Sequence, residues 1–191
     1  GLSLALWQTI LACLIIYFIM CNITEEAWRL NSILFPHLLL IGLLAFIWDR
    51  IPAEPFTGKI HIAWIGTHIL ISVGTYGLLT IAALAALAAM LQGRAVKTKT
   101  RNKFTSQLPS VNASEKILVN SLMVCVIVLA IGIVTGIASQ YISTRNYLVF
   151  DHKTVLTFIV FLIVILILFI HFNTGIRGRI ATRFVLSAYL L

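Results

Sequence analysis

Charge is what this sequence has least of. Asp, Glu, Lys and Arg together make up 10% of its 191 residues, and only six of them are acidic. A soluble domain carries about 25% charged residues, so this chain cannot cover a water-facing surface, and an ordinary cytosolic enzyme is excluded. Disorder is excluded by the opposite measure, because 60% of the residues are hydrophobic and disordered chains are poor in such residues. The three cysteines, Cys13, Cys21 and Cys125, sit in or beside apolar runs without metal-like pairing, as small buried hydrophobes do. There is no G-x-S-x-G, Walker loop, H-E-x-x-H or C-x-x-C, so the chain is not expected to be an enzyme by itself. Nor is there an acidic pair at membrane depth of the kind a proton-driven pump needs. The first apolar run lacks the basic start of a signal peptide, and the opening residue is Gly1 rather than Met.

What is present is a series of long apolar runs. A membrane-crossing helix needs about 20 such residues; five runs approach or exceed that length, 2–20, 33–48, 62–91, 117–137 and 155–172, and 180–191 starts a sixth. The expected fold is therefore all-α, a polytopic transmembrane helix bundle of about six spans forming one domain over 1–191. The run at 62–91 is long enough that its first residues are expected to form a re-entry or interfacial turn, and the last run is short.

The net charge of +8 sorts by loop. Arg94, Lys97, Lys99, Arg101, Lys103 and Lys116 lie between the third and fourth runs, and Arg177, Arg179 and Arg183 follow the fifth. The alternate loops hold Arg50, Lys59, Arg145 and Lys153, offset by Asp49, Glu54 and Asp151. Cytoplasmic loops collect Lys and Arg, which places 93–116 and 173–180 in the cytoplasm and 49–61 and 141–153 outside. The basic excess thus reports topology in a lipid bilayer, and no nucleic-acid partner is expected. The polar stretch 92–114 reads as a mobile loop.

Polar residues inside spans are costly and mark either a packing seam or a functional site. His68, Ser72, Tyr76 and Thr80 recur every fourth residue, a polar stripe on one helix. It is either a hydrogen-bonding seam between helices or the wall of a cavity with His68 as ligand or proton carrier at the outer mouth. Gly132 and Gly136, with Thr135 and Ser139 beside them, have helix-pairing spacing and read as a packing signal. Asp151-His152-Lys153 stands immediately before the fifth run: imidazole beside a carboxylate suits iron or zinc, and Asp at a helix start is favourable without any ligand. His171 closes that run, and His37 and His61 complete the five histidines.

Three segments in order, THILISVGTYGLLTIAALAALAAMLQ (67–92), LPSVNASEKILVNSLMVCVIVLAIGIVTGIA (108–138) and DHKTVLTFIVFLIVILILFIHFNTGIRGRIATR (151–183), resemble the integral membrane cytochrome c assembly family. The opening GLSLALWQTILACLIIYFIM is similar to a family helix that two others normally precede, so about two further N-terminal spans are expected. The resemblance implies haem handling at the outer face of a bacterial inner membrane. His68 would match the first outward histidine, His171 the histidine ending the helix after the Asp-x-Lys motif, and Asp151 and Lys153 that motif itself. The haem iron would take His68 and a second outward histidine that the match does not itself assign, His152 in preference to His61, with Tyr76 on the His68 face, and apocytochrome c or another membrane subunit as partner. The loop 139–153 has no Trp, so the tryptophan-rich platform of haem-transferring members is absent, and the chain looks closest to the YpjD- and HemX-like branch. Two other functions remain compatible with the residues: a cofactor-free scaffold or regulatory subunit, and an accessory to cobalt or magnesium transport.

Overall fold

A computed structural model describes residues 2–50, 62–100, 102–144 and 151–174. These are helical apart from short connections. Helix α1 covers Leu2–Ile23, a 3₁₀ turn at Ala27–Leu30 leads into α2 at Asn31–Trp48, and α3 covers Ile62–Thr98. A short α4 at Lys103–Gln107 precedes α5 at Val111–Thr144, and α6 covers His152–Thr174. Among the described residues five stretches are long and apolar enough to cross a membrane, the 3₁₀ turn and α2 together making one of them. The protein is a multi-pass membrane protein. The expected sixth span, 180–191, lies outside the described residues.

Helix α3 is the centre of the bundle. It packs most extensively on α5 and also on α1; α2 lies chiefly against α1, and α6 against α5. From Leu78 to Ala89 nearly every α3 side chain is buried. Small residues make that possible: Ala82, Ala85, Ala86 and Ala88 have no exposed surface, and small side chains let helix backbones approach closely in lipid, where dispersion replaces the hydrophobic effect as the cohesive force. Gly77 marks the crossing with α1, since a Cβ there would stand 2.8 Å from Ile16 Cδ1 and 3.2 Å from Ala12 Cβ. The outward faces of α1, α2, α5 and α6 expose large apolar side chains such as Phe18, Leu39, Val134 and Phe169, the surface a lipid-facing helix needs.

Two boundaries differ from expectation. The start of the third run forms no re-entry turn, because α3 is helical from Ile62 onward. The stretch 93–116 is also mostly helical rather than loop. Helix α3 has 37 residues, about 55 Å at 1.5 Å per residue, against about 30 Å of hydrocarbon, and it continues through Arg94 and Lys97 because these are good helix formers once outside the lipid. It ends where Lys99 takes a positive φ of 54°, the left-handed conformation that commonly closes a helix. Asn102 and Thr105 form a capping box for α4, and Gln92 Nε2 donates to Leu108 O at 3.2 Å, so the connection folds back on α3.

Cross-links fix the two ends of the bundle. At one end Ser3 donates to Asp49 Oδ1 at 2.8 Å, joining the start of α1 to the end of α2. At the other, Glu26 accepts from Ser110 N at 2.7 Å and Ser110 Oγ at 3.2 Å. A carboxylate from the first interhelical turn thereby serves the first turn of α5, where backbone N–H groups are unpaired and the helix dipole favours negative charge. The Ser110 N–H, opposed by desolvation and aided by the Ser110 hydroxyl and Arg29, holds the Glu26 carboxyl below its ordinary value.

Candidate haem site

The α3–α5 seam changes character along its length. At the Glu26 end it is filled by Ala and Leu of α3 against Ile117, Leu118, Leu122 and Cys125 of α5. At the opposite end the two glycines of α5 replace bulk with backbone. A Cβ at Gly132 would lie 3.3 Å from Ile71 Cγ2, and one at Gly136 would lie 3.2 Å from His68 Cε1. Read from the sequence as a packing pattern, the pair also seats a histidine: without a side chain at 136 the imidazole can lie against α5.

His68 Nδ1 is 3.1 Å from Thr135 Oγ1, and the Thr135 hydroxyl donates to Gly132 O at 3.0 Å. Beside the ring is a cavity of ≈ 340 Å³ lined by His68, by Gly132, Ile133, Gly136, Ile137, Ser139 and Gln140 of α5, and by Thr154, Thr157 and Phe158 of α6. The Ser139 hydroxyl is buried with no hydrogen-bond partner among the described residues. The cavity lies at the small end of the range for ligand pockets, about 300–1,000 Å³, enough for one edge of a flat macrocycle. Its lining suits that use: apolar walls from Ile133, Ile137 and Phe158, one imidazole, and hydroxyls that can accept or donate.

The polar stripe of α3 divides. Each fourth-residue step turns by about 40° around a helix of 3.6 residues per turn, so the stripe leaves the α5 face. Tyr76 is 60% exposed and does not line the cavity. Ser72 and Thr80 donate to the carbonyls of His68 and Tyr76 on their own helix, at 2.9 and 2.8 Å, and Thr75 does the same to Ile71 at 3.0 Å. His68 therefore provides the stripe's hydrogen bond to α5.

Asp151 precedes α6 and its carbonyl accepts the first helical bond, from Val155 N at 3.1 Å, which is the N-cap position. His152 and Lys153 open α6, and their side chains lie outside the described residues. Their backbone adjoins the cavity through Thr154, one of its lining residues. His171 is at the far end of the same helix, about 28 Å away at 1.5 Å per residue, with its ring edge-on to Phe172 at 5.4 Å. His68 and His171 cannot ligate one iron. His37 belongs to α2, and His61 lies outside the described residues. Among the described residues no three His, Cys, Asp or Glu side chains come together to hold a bare metal ion. The contributions of Thr135 and Ser139 were not expected from the sequence. The only local hint is their position beside the two glycines.

Comparison with known families decides the class. The sequence profile described as "Cytochrome C assembly protein" matches residues 2–191. The chain belongs to the cytochrome c assembly family. It is also 44% identical over 191 residues to a protein of Azospirillum brasilense described as an uncharacterized 28.8 kDa protein in a nifR3-like 5′ region, covering 100% of this chain and 70% of that relative. No solved structure matches. Membership assigns this cytochrome c assembly protein a membrane role in cytochrome c biogenesis, a process linked to haem.

Proposed function

We propose that this cytochrome c assembly protein binds haem at the outer face of a bacterial inner membrane, with His68 as an axial ligand. The observation that carries the reading is the seat of His68, where the ring enters the α3–α5 seam opposite Gly136 and borders a cavity of mixed polar and apolar lining. Haem brings to such a site an iron with open axial positions, and imidazole is a suitable ligand. The residues present fit one edge of the group: His68 supplies the nitrogen, and Ile133, Ile137 and Phe158 supply apolar surface for the macrocycle.

The orientation follows from charge. Lys97, Lys99 and Lys103 lie toward the Glu26 end, across the bundle from His68, and the positive-inside tendency supports a cytoplasmic side for 93–116 and 173–180 with His68 outside. His152 is the favoured second ligand, and Lys153 can pair a propionate next to Asp151. His171, at the inner end, is placed to meet haem on its way across the membrane. The protein holds and presents haem to an apocytochrome c or another membrane subunit and is not an enzyme by itself.

The test is an absorbance spectrum of the full chain in detergent, after reconstitution with haemin. Wild type and His37→Ala are expected to show a Soret band that His68→Ala loses. A wild-type protein without the band, or a His68→Ala variant that keeps it, overturns the reading.

A further inference from the structure

We propose that Thr135 is a positioning residue that holds His68 in the tautomer protonated at Nδ1, so that Nε2 carries the lone pair offered to iron. The inference rests on the reading of His68 as the haem ligand and adds which nitrogen binds and what determines it.

The argument is one of counting hydrogens. A threonine hydroxyl has a single hydrogen and two acceptor lone pairs, whereas a neutral imidazole has one donor and one acceptor nitrogen. Thr135 Oγ1 donates its hydrogen to Gly132 O at 3.0 Å. While the hydroxyl donates there, its 3.1 Å contact with His68 Nδ1 leaves the oxygen as acceptor and the ring nitrogen as donor. The proton is then on Nδ1 and the lone pair on Nε2. The two bonds reinforce each other, because a hydroxyl that donates to a carbonyl is a better acceptor.

Gly136, one residue on, restricts the ring from the other side. Its missing side chain leaves His68 Cε1 only 3.2 Å from where a Cβ would be, so the imidazole is held between the α5 backbone and the Thr135 hydroxyl. Helical pitch puts Ser139 one turn beyond Thr135; it lines the same cavity, and its hydroxyl, without a partner among the described residues, does not take the Nδ1 bond. Partners of this kind set the tautomer and orientation of metal-binding histidines, and losing one typically lowers metal affinity by about 10–100-fold.

The test has one arm without haem and one with it. In ligand-free, ¹⁵N-histidine-labelled protein, at a pH where imidazole is neutral, His68 is identified as the signal lost in His68→Gln. Its Nδ1 is expected to show the protonated, pyrrole-type shift and its Nε2 the pyridine-type shift. Thr135→Val should mix or reverse that pattern, and Thr135→Ser, which keeps the hydroxyl, should restore it. In the haemin-loaded protein Thr135→Val is expected to weaken haem binding about 10–100-fold, with Thr135→Ser close to wild type. A wild-type His68 protonated at Nε2, or a Thr135→Val variant with unchanged tautomer, overturns the proposal whether or not haem binds. The expected tautomer in a protein that takes up no haem supports the Thr135 assignment and overturns the haem reading alone.

Discussion

The two ends of the α3–α5 seam are built by the same two helices to opposite effect. Toward Glu26 the seam is solid: α3 presents Ala and Leu from 78 to 89, α5 answers with Ile117, Leu122 and Cys125, and little surface is left. Toward His68, α5 gives up side chains at 132 and 136, α3 exposes Leu70 and Tyr76, and a cavity opens next to the imidazole. The difference comes from what the small residues are near. Ala in a repeating block lets two helices close on one another, whereas Gly opposite a histidine lets the histidine close on a backbone. One end is framework and the other is equipment, and a glycine can serve either.

The most disruptive way to break that comparison is to fill the glycines. Gly77→Val drives a side chain into Ile16 Cδ1 and into Ala12, whose Cβ and carbonyl carbon cannot rotate away. Overpacking of this kind costs about 1–3 kcal/mol, seen as a lower midpoint in mixed-micelle unfolding with the haem spectrum of the surviving protein unchanged. At Gly136 the three atoms nearest to an added Cβ all belong to the His68 ring, the first at 3.2 Å, so Gly136→Val presses first on the imidazole. Its larger effect is expected on the Soret band, with a smaller loss of stability. Equal losses of both properties in both variants would erase the distinction between the ends.

A smaller effect is expected at Glu26. Its carboxyl is held below its ordinary value of 4.5 by the Ser110 N–H, so the charged form is favoured in the folded protein. The stability it contributes is complete above that ordinary value and is lost as pH falls from there through the lowered folded value. Unfolding midpoints measured down this acid limb should fall more steeply for wild type than for Glu26→Gln, and identical slopes would show that the contact contributes nothing. The smallest change belongs to Ser121, whose buried hydroxyl has no partner among the described residues. Ser121→Ala leaves no polar group unpaired and is expected to be neutral or stabilising by at most about 1 kcal/mol. A clear loss would mean that the solid end of the seam depends on a hydrogen bond after all.

Hydropathy alone located all five described spans, because lipid depth is a one-dimensional property that a run of residues reports directly. It misplaced helix ends, as at Ile62 and Thr98, because a helix continues past the lipid through Arg94 and Lys97 without any apolar signal. His68 was legible as a costly polar group at depth. Thr135, 67 residues away, was not legible as its partner, since the pairing depends on how α3 and α5 rotate against each other, and no local spacing records that rotation. The same holds for Glu26 and Ser110, which are 84 residues apart. Tyr76 was assigned to the face of His68 by counting in fours, and the drift of that count around the helix carried it to an exposed position.

The Glu26–Ser110 contact has a bearing on how the protein is made. The carboxylate belongs to the first hairpin, which leaves the ribosome well before the serine does, since chains emerge from the N-terminus and assemble in that order. When α5 reaches the membrane its opening turn meets a receptor already in place. The turn between α1 and α2 thus offers the opening of α5 a fixed partner, at the end of the seam opposite the one where Gly136 meets His68.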